Sequence, residues 1–169
     1  MATISAPNRS IIGWLFIAGG ALQILAALVS LANAGNVGAI YAISNIAIGM
    51  AFVLMTVWLA FALISRVAYL IAAIGWLLLA LTSLINLGIV GTLAVFIAII
   101  GSVFAGVIVF TGHVFARQTD ILFLVAMIVG AINLLLSQNG NVPGVLETVI
   151  VIAFGALLLV SGIWMLRRR

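Results

Sequence analysis

Residues 92–116 read TLAVFIAIIGSVFAGVIVFTGHVFA, and no Asp, Glu, Lys or Arg interrupts them. An α-helix rises 1.5 Å per residue, so about twenty apolar residues cross the hydrocarbon core of a bilayer. A segment of this length and composition reads as a membrane-spanning helix. The same pattern recurs on both sides of it. It predicts helices near 10–32, 39–65, 67–86, 92–116, 119–137 and 144–166. The fold class is therefore all-α: an integral membrane bundle of six transmembrane helices in one domain, residues 1–169. The whole composition agrees. The 169 residues are 67% hydrophobic and 5% charged, with mean hydropathy +1.54. A soluble domain of this size needs far more charge to cover its surface.

The breaks between segments carry turn residues or charge. Asn33-Ala34-Gly35-Asn36, the pair Gly88 and Gly91, and Gln138-Asn139-Gly140-Asn141-Val142-Pro143-Gly144 mark three of them, through the backbone preferences of Gly, Asn and Pro. Arg66 and Arg117-Gln118-Thr119-Asp120 mark the other two. Ala32-Asn33-Ala34 resembles a signal-peptide cleavage site, but the apolar stretch before it is about twenty residues, longer than the usual 7–15. The first segment reads as a retained helix.

All six basic residues are arginines: Arg9, Arg66, Arg117 and the terminal Arg167, Arg168 and Arg169. With six spans they fall on one face, which the positive-inside rule makes cytoplasmic, with both termini there and the protein in the cell membrane. The helix dipole, which favours cations at C-termini, explains five of the six under these boundaries. Single arginines at helix ends make no basic face for nucleic acid. The chain has no Cys, which excludes disulfides, thiolate metal sites and Cys nucleophiles.

Short connections pair the helices into three antiparallel hairpins, 1–2, 3–4 and 5–6. Asn33, Asn86 and Asn139 recur at a spacing of 53, and Ile48-Gly49, Ile100-Gly101 and Phe154-Gly155 at spacings of 52 and 54. Both series are consistent with a pseudo-threefold repeat along the membrane normal. Three hairpins, Gly in the second helix of each, and the ending Phe154-Gly155-Ala156-Leu157-Leu158-Leu159-Val160-Ser161-Gly162-Ile163 resemble the HdeD-like small bacterial membrane proteins. The resemblance implies a bacterial six-helix protein with a role in acid or stress tolerance, and no catalytic residue. The chain departs from that pattern by carrying Asn where family members often have Pro, at the outer end of a hairpin's first helix.

No helix has an ionisable residue near its middle, where charges usually mark ion or proton paths. The absence of Lys excludes a retinal Schiff base, and one His cannot supply two imidazole haem ligands. No nucleotide loop, metal cluster or Ser–His–Asp set is present. The expectation is a protein that is not an enzyme and needs no cofactor. Five neutral polar residues fall inside spans: Gln23, Asn45, Thr82, Ser83 and Asn133. They read either as interhelical hydrogen-bonding glue or as a polar ligand level. In the 53-residue register Gln23 aligns with the central Trp76, so Gln23, Trp76 and Asn133 form the candidate ligand level. His113 and Glu147 are the candidate pH-sensitive groups. His113 also reads as a residue bonding a backbone carbonyl or lipid headgroup. Glu147 also reads as a first-turn acid favoured by the dipole. A small-residue stripe, Ala98, Gly101, Ser102, Ala105 and Gly112, suits close packing in the bundle or an oligomer contact. The leading expectation is a noncatalytic scaffold or accessory subunit. A transporter or channel for a small neutral or apolar solute, and a lipid- or quinone-binding protein, are the alternatives. The bilayer is the sure partner; a homo-oligomer or a larger membrane complex is compatible with the sequence.

Overall fold

The computed structural model describes residues 6–33, 35–59, 62–85, 87–138 and 144–167. They form six helices: α1 (Ala6–Leu31), α2 (Gly38–Trp58), α3 (Leu63–Thr82), α4 (Ile89–Gly112), α5 (Arg117–Ser137) and α6 (Gly144–Arg167). Each is long and apolar enough to cross a membrane, and together they make a multi-pass membrane architecture. One face of each helix is buried and the other presents large apolar side chains such as Trp14, Leu63, Ile89 and Phe104. In water such a surface would aggregate, whereas against lipid it is the expected exterior.

The helices stand in a ring. Each packs on its two neighbours in sequence, α6 packs on α1, and no helix backbone approaches one across the ring. Small residues make the two tightest seams. On α1 and α6 a Cβ added at Gly13 would lie 2.9 Å from the Gly162 carbonyl oxygen, and one added at Gly162 would lie 2.5 Å from that of Gly13. A turn or two along, Gly20 and Gly155 oppose each other in the same reciprocal way. The α3–α4 seam sets Gly75 against the Ala98 backbone and Gly101 against the Ala72 backbone. The small stripe of α4 is thus consumed inside the ring at Ala98, Gly101, Ser102 and Ala105, all buried, while Gly112 at the helix end is exposed.

Two boundaries correct the sequence reading. Helix α2 stops at Trp58 and α3 begins at Leu63, so the turn lies upstream of Arg66. The linker, Leu59-Ala60-Phe61-Ala62, is apolar and offers no polar punctuation. Arg66 then sits in the first turn of α3, and Arg117 opens α5. A helix N-terminus disfavours a cation, so among the described arginines the dipole accounts only for Arg167. What Arg9, Arg66, Arg117 and Arg167 share is one end of the ring.

The repeat pattern also shifts. Ile100 is 51% exposed, so it is not the counterpart of buried Ile48. Burial aligns Ile48 with Gly101 and Phe154, at spacings of 53 and 53, and Phe16 with Tyr69 and Phe123, at 53 and 54. The three hairpins follow one another around the ring in a manner consistent with a repeat. Asn86 and Asn139 lie outside the described residues. Asn33 adopts a left-handed φ of 50° just beyond α1, a conformation that Asn tolerates better than most residues.

The α1–α6 seam closes the ring, so overpacking it should unfold the protein. Gly20→Leu and Gly155→Leu are each expected to destabilise by about 1–3 kcal/mol, read as a lower thermal midpoint in detergent. Gly144→Ala is the control, because nothing lies within 4 Å of the added Cβ. Unchanged midpoints for both leucine variants would refute the seam.

Candidate functional site

The ring encloses a lumen, and side chains from all six helices fill it in layers. Deepest are Phe16, Phe52 and Phe123, whose rings meet edge to face at centroid distances of 5.8, 5.3 and 6.1 Å. They come from α1, α2 and α5 and touch across the lumen. Counting along each helix from the arginine-free end puts all three at a depth of about 21 Å. Nearer that end, Trp76 of α3 stacks on Phe154 of the opposite helix α6, with centroids 5.6 Å apart and planes 13° apart. Gly130 makes room for Phe154: a Cβ there would come within 2.6 Å of its ring. The Trp76 Nε1 donates to Ser102 Oγ at 2.8 Å, so the indole is held both by stacking and by its hydrogen bond.

Above this floor lies a cavity of about 390 Å³ that opens at the arginine-free end. Gln23, Trp76 and Asn133 all line it, together with Tyr41, Asn45, Ser83 and Glu147. The three residues of the predicted ligand level are therefore brought together. The true counterpart of Gln23 and Trp76 in α5 is Gly130, and Asn133 stands one turn higher. Its volume is that of a small-molecule site.

Hydrogen bonding divides these residues into two groups. Gln23 Nε2 donates to Asn45 Oδ1 at 3.1 Å, Asn45 Nδ2 donates to Ser83 Oγ at 3.3 Å, and Ser83 Oγ donates to the Leu79 carbonyl at 2.8 Å. This chain ties α1, α2 and α3 together and acts as glue. Ser44 adds a bond from its hydroxyl to the Gly19 carbonyl at 2.9 Å. Thr82 turns back on its own helix, donating to the Leu79 carbonyl at 3.0 Å. Asn133 is different. Its Oδ1 is buried with no hydrogen-bond partner. A buried amide oxygen left unpaired costs about 1–3 kcal/mol, which is the mark of a group waiting for a ligand or water.

The candidate pH-sensitive residues are not brought together. Glu147 lines the cavity. His113 is exposed at the opposite end, where it ends α4 with a left-handed φ of 48° and its N–H bonds the Val109 carbonyl. It has no part in the site. In the sequence Asp120 stands only as part of the charged break between the fourth and fifth spans. In the structure it is fully buried, and its Oδ1 accepts the Phe115 N–H at 2.9 Å, pinning the α4–α5 turn. The aromatic triad was also missed, since isolated Phe residues in apolar helices give no signal of facing inward.

No protein-family model matches the chain, and no curated protein or solved structure is detectably similar to it. The likeness to HdeD-like proteins rests on the glycine pattern and the quoted ending alone.

The two polar groups respond differently to truncation. Asn45→Leu strands Gln23 and Ser83 and is expected to lower stability by about 1 kcal/mol. Asn133→Leu removes an unpaired group and is expected to leave the ligand-free protein as stable or more so. Thermal unfolding checks both; equal losses would show that Asn133 has a structural partner.

Proposed function

We propose that this protein is a noncatalytic solute carrier of the membrane, which binds a small hydrogen-bonding molecule in the lumen cavity. The observation that carries this reading is a cavity formed by all six helices with Gln23, Asn45, Asn133 and Glu147 in its lining. Gln23, Asn45, Asn133 and Glu147 within a mixed lining favour a hydrogen-bonding solute over a purely apolar one. The positive-inside rule supports an arginine-bearing end in the cytoplasm, so the cavity faces outward. The two aromatic layers are the barrier on the other side. Passage then requires Trp76 and Phe154 to part and the phenylalanine layer beneath them to open, and the cavity and its floor form the outward-open half of such a cycle.

A scaffold or accessory-subunit role draws on the same lipid-facing surface. It is less favoured because the small-residue faces that would seat a partner helix are already occupied within the ring. Lipid or quinone binding lacks an observation of its own.

Osmotic swelling of proteoliposomes tests the carrier reading with glycerol, acetamide and pentane-1,5-diol as solutes. At least one is expected to enter faster than into protein-free liposomes. Gln23→Leu and Asn133→Leu should abolish the gain, Phe154→Ala should increase it, and Phe104→Ala, which changes a lipid-facing ring, should leave it unchanged. No acceleration with any solute would sink the transport reading. A stoichiometric protein subunit retained in native mass spectrometry would then favour the scaffold.

A further inference from the structure

Resting on that reading, the lining of the cavity also discriminates between ligands by charge. Glu147 lies in the first turn of α6. It lines the lumen cavity and also a second cavity of about 480 Å³, formed by the ends of α1, α2 and α6 with Ser30, Asn33 and Thr148. Tyr41 and Val151 line both cavities as well. Glu147 therefore stands at the junction of two spaces. The dipole of α6 favours an acid in its first turn, but any position in that turn would satisfy it, including those facing lipid. Among the described residues Glu147 has no ion pair and no hydrogen bond. The described cations, Arg9, Arg66, Arg117 and Arg167, are at the far end of the helices, about 30 Å away.

Deeper in the lumen the free groups are also acceptors. Gln23 is 4% exposed, and with its Nε2 given to Asn45 its Oε1 has no protein partner. Asn133 Oδ1 is also unpaired, but it is buried out of contact with the open cavity. Several of the donors are committed. The Trp76 N–H goes to Ser102, the Asn45 amide to Ser83, and the hydroxyls of Thr82, Ser83, Ser137 and Thr148 to carbonyls of their own helices. What remains is the amide N–H groups of Asn133 and Gln138, the second N–H of Gln23 and of Asn45, and the dual-character hydroxyls of Tyr41 and Thr92.

We propose that the cavity takes a small organic cation: an amine whose ammonium group meets Glu147 and whose polar tail reaches Gln23. A carboxylate and the Gln23 carbonyl oxygen suit a ligand that brings positive charge and N–H or O–H donors. An anion would meet Glu147 with no compensating cation. A bare metal ion finds no group of three His, Cys, Asp or Glu among the described residues, and the cavity is far larger than an ion.

The test uses the full chain in nanodiscs and two probes of one shape. 5-Aminopentan-1-ol is a cation at neutral pH, and pentane-1,5-diol is its uncharged counterpart. Calorimetry or ligand-observed NMR is expected to show the amine binding about tenfold more tightly, the scale of one hydrogen bond to a charged group. Glu147→Gln should erase that preference, bringing the two probes to equal affinity, and Glu147→Asp should keep part of it. A preference that survives Glu147→Gln, or equal affinity of the two probes for the native protein, overturns the cation inference and leaves the cavity reading standing. Binding of neither probe also overturns it, and the carrier reading then stands or falls on the swelling measurement.

Discussion

Everything inside this protein depends on the closure of α6 against α1. A membrane helix tolerates polar side chains only where another helix or a water-filled space hides them from lipid. The chain places Gln23 and Asn45 on α1 and α2 and Asn133 and Glu147 on α5 and α6. Only a closed ring turns all of them inward. Closure in turn needs two helices far apart in sequence to approach backbone to backbone. There is no hydrophobic drive for that in lipid, where close packing must supply the attraction. The Gly13–Gly162 and Gly20–Gly155 contacts supply it, because any Cβ at those positions would meet a carbonyl oxygen.

Closing a ring of six helices creates the opposite difficulty, a hole down the middle. Backbones across the ring do not touch, so side chains alone must fill the space. The molecule solves this with aromatics at two levels and leaves a third level empty. Phe16, Phe52 and Phe123 interlock edge to face, an arrangement favoured by the quadrupoles of their rings. Trp76 and Phe154 span the lumen as one stacked pair. The ring wall is held by backbone-close seams, while the plug is held by a few side-chain contacts and one hydrogen bond. The plug is thus the part able to move without dismantling the fold.

Much of this was legible in the sequence. Six spans, their order and the candidate level at Gln23, Trp76 and Asn133 follow from apolar length and from the rarity of polar residues within spans. Other features were hidden for physical reasons. The α2–α3 turn runs through Leu59 and Ala62 with no Gly, Pro or charge, so Arg66 looked like the boundary. The Ile–Gly pairs suggested a register that burial refutes at Ile100, because composition cannot tell which side of an apolar helix faces lipid. The glycines of the α1–α6 seam were visible, but their pairing spans nearly the whole chain and no local pattern announces it.

The distinction between glue and site also lay beyond the sequence. Asn45 and Asn133 are the same residue type in similar spans. One gives its donor to Ser83 and receives the amide of Gln23; the other lines the cavity and keeps a buried, unpaired oxygen. In hydrocarbon an unpaired amide is a loss that packing does not recover, so its position has to be explained by something that fills the space. Water explains the hydrogen bond but not the placement of Glu147, whose charge stands at the junction of two cavities with no cation at that end. A ligand bearing positive charge explains that placement, and it does so without any group that the ring would have to rearrange to provide.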